Sequence, residues 1–288
     1  MTAADWTGPF RFIQLSDPQL GMTAMREQAE REAAGDAAEP SADPVLDFAV
    51  ESALLAKAVA EANRLRPEFV VVTGDIGNDR MHTAQIGEVL RITGELDAGI
   101  PIYWAPGNAD LGNTPTPSLV DKYKNAFGAD YHAFQHRGVS FLALNSPVIY
   151  DPSETPGAWE AQLAFVEAEL AAAAARDSVH TIVFMHHPLF LETPGDPDGS
   201  MAVPMERRMV LLDQFRGHGV SAVFAGHLHR NNYTRDPVSG MLMVVTSAVG
   251  YQLGDDCSGY RVVYVHEDRI EHEYHALGAG PDAAGAGG

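Results

Sequence analysis

Two rhythms of apolar and polar positions alternate along the chain. Residues 11–15, 69–73, 100–105, 139–144, 181–185 and 220–225 are short runs rich in aliphatic, β-branched or aromatic side chains, each bounded by Gly, Pro, Asp or Asn. Such runs predict buried strands. Between several of them the apolar spacing changes to three and four. Trp159, Leu163, Val166 and Leu170 place one apolar stripe on a helix over 158–175, and similar stripes predict helices over 45–65, 83–97 and 205–216. Beyond His229 the helical rhythm stops, and strands are predicted over 231–235, 241–246, 260–266 and 269–275. Alternation followed by a β-rich end predicts an α/β fold with a mixed core and added antiparallel strands.

Two segments depart from both rhythms. Residues 23–43 are rich in Ala, Glu and Asp and read as a short surface helix or a mobile loop, while 276–288 hold almost only Gly, Ala, Pro and Asp. No repeat or linker divides the remainder, so the expectation is one domain over 1–277 with a disordered tail over 278–288. The 288 residues carry 39 acidic against 19 basic side chains, a net charge of -20. A nucleic-acid backbone meets repulsion over such a surface, so binding by bulk electrostatics is not expected, and a phosphate ester must be met by local positive charge. No Gly-rich loop ending in Gly-Lys-Ser/Thr supplies that charge. Metal ions are the alternative. Cys257 is the single cysteine, no basic segment followed by an apolar run opens the chain, and no run of 18 apolar residues occurs. These features predict a cytoplasmic protein that stays off membranes. Oligomeric state leaves no signal.

Five clusters of metal-ligating residue types each follow a predicted strand: Asp17 with Gln19, Gly74-Asp75, Gly107-Asn108, His186-His187, and Gly226-His227-Leu228-His229. Ligand sites in open α/β sheets form beyond the carboxyl ends of strands, so all five should meet at one rim. A single Asp after a strand is more often a turn former, and a single His more often structural. Their convergence carries the argument. Carboxylate, imidazole and amide oxygen together suit divalent Mn, Fe, Zn or Mg, and a carboxylate can bridge two ions. Two ions roughly 3.5–4 Å apart can hold an attacking water and phosphoryl oxygens together. Gly74, Gly107 and Gly226 fit turns that bring backbone close to the site. In a plain strand His227 and His229 would face one side, and His187 would point away from His186.

The ordered set Asp17-Pro18-Gln19, Gly74-Asp75-Ile76-Gly77-Asn78-Asp79, Gly107-Asn108-Ala109-Asp110, His186-His187 and Gly226-His227-Leu228-His229 resembles the calcineurin-like metallophosphoesterase superfamily. Residues 107–116, 143–146, 188–192 and 247–254 resemble a subgroup of serine/threonine phosphatases within it, and the likeness runs from about Phe12 to Leu277. It implies a four-layer α/β/β/α sandwich with two mixed β-sheets. It also implies a metal-dependent phosphoesterase with two divalent ions, Mn or Fe favoured. Asp17, Gln19, Asp75 and His229 would hold the first ion; Asp75 as a bridge, Asn108, His186 and His227 would hold the second. His227, Asp75 and Asp110 are implied to act in catalysis on a phosphate monoester, either a small molecule or a phosphoprotein. Asn78 and Asp79 read as hydrogen-bonding partners of the ligands, and His187 as a packing residue.

Two positions depart from the family pattern. Gln19 stands where most members have His; an amide oxygen is a harder and weaker ligand, which favours Mn or Mg over Zn at the first ion. Ala109 stands where the usual motif has a His that protonates the leaving oxygen. Loss of a general acid typically costs about 10²–10⁴-fold in rate, least for aryl phosphates and most for alkyl esters. Three explanations stay open: a proton donor elsewhere, with His82, His132 and His187 the candidates by type; a residue replaced in the laboratory to trap substrate; or a natural variant of weak catalysis. The competing functions are a phosphodiesterase for cyclic nucleotides or other diesters, and a metal-binding regulatory protein with little turnover. The loop over 191–204 should overhang the site, and Arg80, Arg207, Arg208 and Arg230 are candidate phosphate clamps.

Overall fold

The computed structural model describes residues 5–35 and 43–278. Its elements are β1 (Phe10–Leu15), α1 (Met22–Ala33), α2 (Ala49–Leu65), β2 (Val70–Thr73), α3 (Thr83–Thr93), β3 (Ile102–Ala105), α4 (Asn108–Leu111), α5 (Pro117–Phe127), β4 (His132–His136), β5 (Val139–Ala143), α6 (Ser146–Tyr150), α7 (Ala158–Ala175), β6 (His180–Phe184), α8 (Met205–Gly217), β7 (Ala222–Ala225), β8 (Asn232–Arg235), β9 (Leu242–Val245), β10 (Gly259–Val265) and β11 (Ile270–Ala276). One sheet has the order β11-β10-β1-β2-β3 and the other β4-β5-β6-β7-β9-β8. β1, β2 and β3 run parallel, as do β5, β6, β7 and β9. The antiparallel pairings lie toward the edges, through β10, β11, β4 and β8.

Alternation along each strand divides its side chains between two cores. Phe10 and Phe12 of β1, Val71 of β2, Ile182 and Phe184 of β6 and Phe224 of β7 point between the sheets. Ile13, Leu15, Val70 and Val72 pack with residues of α2, α3 and α5 outside the first sheet. Val183, Val223 and Val245 pack with residues of α7 and α8 outside the second. Both sheets are therefore apolar on two faces, which is why their strands read as continuous apolar runs. The layers stack α/β/β/α, as the resemblance implied. Aromatic rings fill the middle: Phe12 stacks on Phe69 at 4.8 Å and meets Phe141, Phe184 and Phe224 edge-on at 6.0, 5.4 and 5.8 Å.

The predicted strands and helices all form, with ends shifted by a few residues. The region 45–65 divides into a short 3-10 turn and α2, and the Ala/Glu/Asp-rich segment forms α1 over its first part. Residues 36–42 and, of the tail expected over 278–288, residues 279–288 lie outside the described residues. β4 escapes the sequence pattern because its His132-Ala133-Phe134-Gln135-His136 run is polar at three of five positions. Its signal is the turn that follows: Arg137 and Gly138, at φ 48° and 80°, close a two-residue hairpin onto β5. Among the described residues, no helix is long and apolar enough to cross a membrane.

Phe12 is fully buried, so Phe12→Ala opens a cavity between the sheets. Urea unfolding should show a loss of about 3–5 kcal/mol. A loss below about 1 kcal/mol would contradict the role of the aromatic layer.

Candidate metal centre

The carboxyl ends of β1, β2 and β3 meet those of β6 and β7 at one rim, and the seven expected ligands follow these ends. Backbone hydrogen bonds lock the rim: Asp17 N donates to Gly74 O at 3.1 Å, Gln19 N to Asp75 O at 2.9 Å and Gly250 N to Asp17 O at 3.1 Å. The chain turns sharply there. Asp17, Gln19, Asp75, His227 and His229 have φ of 49°, 40°, 50°, 74° and 52°. Left-handed backbone is uncommon outside glycine and concentrates at functional sites. The plain-strand picture is thereby corrected: His227 and His229 sit in a strained turn past β7, and that turn brings them to the site. Glycines give the turns their room. A Cβ on Gly107 would lie 2.2 Å from Asp75 Oδ1, and one on Gly226 would lie 1.8 Å from Ser16 Oγ.

Two groups of ligand atoms result, each with all its atoms within 4.8 Å of one another: Asp75, His186 and His227, and Asp17, Asp75 and His229. Asp75 belongs to both. Asn108 Oδ1 joins the first group at 3.0 Å from His186 Nε2. A backbone carbonyl orients each imidazole: His186 Nδ1–H donates to Thr73 O at 2.8 Å, His227 Nε2–H to Ser200 O at 2.8 Å, and His229 Nδ1–H to Tyr251 O. In the neutral form of each ring the other nitrogen keeps its lone pair. His186 Nε2 then faces Asp75 Oδ1 at 3.2 Å and His227 Nδ1 at 3.1 Å, and His229 Nε2 faces Asp17 Oδ1 at 3.4 Å. Lone pairs that face one another repel unless a proton or cation lies between them. Gln19 Oε1 is buried without a partner, while its Nε2 donates to Asn78 Oδ1 at 3.1 Å. Inward-facing oxygen and nitrogen donors, one of them orphaned, fit divalent ions held around Asp75.

The charges follow from this crowding. Burial lowers the His186 imidazole, but the Asp75 carboxylate and then Asp17 outweigh burial and push it up to about 9. Burial drives Asp17 above the usual carboxylate range against the pull of His229. Asp75 resists its own burial, because His186, His227 and the Ala109 N–H at 2.7 Å hold it below that range. Burial, reinforced by His186, pulls His227 down to about 4.

Asp110 stands apart from the ligand atoms. It is fully buried, and its two oxygens accept Gly107 N–H at 2.8 Å and Ile76 N–H at 2.9 Å, tying the Asp75 and Asn108 turns together. Burial and the neighbouring Asp75 raise it to about 7. The residue expected to act in catalysis is thus placed to position two turns. Asn78 holds Gln19, but Asp79 is exposed and binds through its backbone, its N–H donating to Gln85 Oε1. His187 lies beside the cluster, its ring 5.1 Å from His186 and 4.5 Å from His227, because both follow the end of β6 and strand alternation no longer applies. Ser146 Oγ accepts the His186 and His187 N–H groups and bonds His187 Nδ1 at 3.0 Å, while Tyr150 stacks on the ring. His82 precedes α3 and His132 lies against Tyr103; neither shares a hydrogen bond or ring contact with the seven. Arg80 and Arg230 are exposed, Arg207 reaches Tyr150 O, and Arg208 is buried.

A network behind Asp17 leaves little trace in the sequence pattern. A buried chain of donors runs from Arg261 Nε to Thr246 Oγ1 (2.7 Å), Thr246 Oγ1 to Gln14 Oε1 (2.7 Å), Gln14 Nε2 to Thr73 Oγ1 (3.0 Å), Thr73 Oγ1 to Ser16 Oγ (2.9 Å) and Ser16 Oγ to Asp17 Oδ2. Every bond points toward Asp17, so the chain presents positive hydrogen ends to its carboxylate. Its signal in the sequence is slight: Gln14, Thr73 and Thr246 are polar residues within or beside apolar runs.

The family model for calcineurin-like phosphoesterases matches residues 10–231. The chain belongs to this family. As a member it is a phosphoric ester hydrolase. The serine/threonine-protein phosphatase CPPED1 of Danio rerio is 38% identical over 95% of this chain and 86% of its own length, and the Homo sapiens protein of that name is 36% identical over the same shares. A probable cyclic nucleotide phosphodiesterase of Rhodococcus erythropolis is 29% identical over 76% of this chain and 73% of that protein. A solved dimetal phosphatase of Danio rerio shares the fold, with a TM-score of 0.64 at 17% identity over 94% of this chain and 97% of that one.

Without a cation, His186 carries the proton that the facing lone pairs require. Its folded pKa of about 9 exceeds the ordinary 6.5, so its contribution to stability is complete below pH 6.5 and is lost as pH rises through 9. Chelator-treated protein should show a Tm that falls between about pH 7 and 9, and His186→Gln should flatten the slope. A flat profile in the unmodified protein, or an unchanged slope in the variant, contradicts the arrangement.

Proposed function

We propose that this hydrolase removes phosphate from monoesters, small molecules or phosphoproteins, at a dinuclear site. Asp17, Gln19, Asp75 and His229 hold one ion; Asp75, Asn108, His186 and His227 hold the other. The reading is carried by the sharing of Asp75 between the two groups of ligand atoms, since a carboxylate can serve two ions where a neutral imidazole serves one. When bound, the ions supply Lewis-acid stabilisation of the phosphoryl oxygens and acidify the attacking water. Mn or Fe is the preferred occupant, and the amide oxygen of Gln19 favours a hard ion such as Mn.

The side chains divide the remaining work. The carbonyls of Thr73, Ser200 and Tyr251 hold the three imidazoles in place, so their lone pairs need little rearrangement. Asp110 positions the turns that carry Asp75 and Asn108. An acid for the leaving oxygen is missing, because Ala109 offers a methyl group where the family motif has His. His187 is a poor substitute: burial, reinforced by His227 and His186, holds it neutral, well below the usual range. Esters whose leaving oxygen needs little protonation are therefore favoured. Similarity to serine/threonine phosphatases supports a monoester, and the weaker similarity to a cyclic nucleotide phosphodiesterase supports diesters as the second reading. We place the protein in the cytoplasm, in keeping with its lone exposed Cys257. We also read it as one domain through residue 277, because β10 and β11 complete the first sheet.

Mn-loaded protein should hydrolyse nitrophenyl phosphate faster than bis-nitrophenyl phosphate, and phosphoserine slowest of the three. Ala109→His should raise phosphoserine turnover by about 10²–10⁴-fold and change nitrophenyl phosphate little. Bound Mn with no hydrolysis of any ester would leave a metal-binding protein without turnover and end the proposal.

A further inference from the structure

We propose that Arg208 positions His227 through the loop over 191–204, and so sets the affinity of the ion site that contains His227. The inference rests on the dinuclear reading above. By volume, Arg208 ranks first among the fully buried side chains of the described residues. It leaves α8 and enters the loop that follows the His186 cluster. Its guanidinium gathers three loop carbonyls: Val203 O from Nε and Nη2 at 3.0 and 2.9 Å, and Pro194 O and Asp196 O from Nη1 at 3.0 and 2.7 Å. Its carboxylate partner, Asp198, is 3.9 Å away. A buried cation matched mainly by carbonyls is costly, and an apolar residue would suit a core better. The rigid five-donor fork is what three separated carbonyls require, and lysine cannot reproduce it.

Other bonds anchor the same loop. The Asp196 carboxylate accepts Leu191 N–H at 2.8 Å and Glu192 and Thr193 N–H at 2.9 Å, folding the first half of the loop on itself. Val203 N donates to Pro188 O at 2.9 Å and closes the base. From β8, Asn232 Nδ2 and Thr234 Oγ1 donate to Leu191 O and Glu192 O. Asp198 Oδ1 accepts Met205 N–H at 2.6 Å, which leaves residues 199–201 at the tip. There Ser200 O accepts His227 Nε2–H at 2.8 Å. That carbonyl decides which nitrogen carries the hydrogen, so Nδ1 turns its lone pair toward His186 and Asp75. His229 takes its orientation from Tyr251 O instead. Loosening the loop should therefore weaken one ion site and spare the other.

The test is calorimetric titration of the chelator-treated full chain with Mn, alongside ¹⁵N spectra of the His227 ring. Wild-type protein should bind two ions per chain and show the Nε2–H form of His227. Arg208→Met should weaken one site by about 10–100-fold, leave the other unchanged and mix the His227 forms. Arg208→Lys, which keeps the charge, should rescue folding but not the affinity, and Asp196→Asn should weaken the same site. Asp236→Asn, which breaks the Arg216–Asp236 pair at the far end of α8, should lower Tm and leave both affinities intact. Two ions in the wild type with both affinities intact in folded Arg208→Met and Asp196→Asn, or both sites weakened equally, would overturn the inference alone. A wild type that takes up no Mn overturns the dinuclear reading and this inference with it.

Discussion

Asp75 sits where carboxylates, imidazoles and amide oxygens are forced together with their lone pairs facing inward, and the rest of the structure works to keep them there. Such a cluster repels itself. The strand ends of two sheets bring the groups to one rim, and five of the seven hold left-handed backbone, a strain on the order of 1–3 kcal/mol each. Gly107 and Gly226 remove the side chains that would collide with Asp75 and Ser16. The aromatic layer around Phe12 keeps the two sheets in register beneath the rim. The chain of donors from Arg261 to Asp17 crosses the same layer and points its hydrogens at the carboxylate.

The legible part of this design was the part written in periodicity and residue type. Strands came from continuous apolar runs because both faces of each sheet are buried, and α7 came from its stripe of Val166 and Leu170. The candidate ligands could be named because they follow strand ends in order. Geometry past those ends was not legible. His227 and His229 lie in a turn, and His187 lies against His227 rather than away from the site, because alternation holds only while a strand continues. Asp110, which the family resemblance implies acts in catalysis, accepts hydrogen bonds from two backbone amides, contacts that are invisible in sequence. The groups that orient the imidazoles are backbone carbonyls of Thr73, Ser200 and Tyr251, which no residue type announces.

Binding and turnover are separable here. The donors that would hold ions are in place among the described residues, with each imidazole oriented by a carbonyl and Asp75 fixed by Ala109 N–H. On the leaving-group side, Ala109 has no proton to give and burial holds His187 neutral. The tip of the loop over 191–204 reaches His227 through Ser200 O, while His229 is held by Tyr251 O.

The most direct measurement is the metal content of desalted, Mn-loaded protein, wild type beside Asp75→Asn and Asn108→Ala. Two ions per chain in the wild type, one in Asn108→Ala and none retained in Asp75→Asn is the result a shared bridge requires. Retention of an ion by Asp75→Asn at wild-type affinity would contradict it.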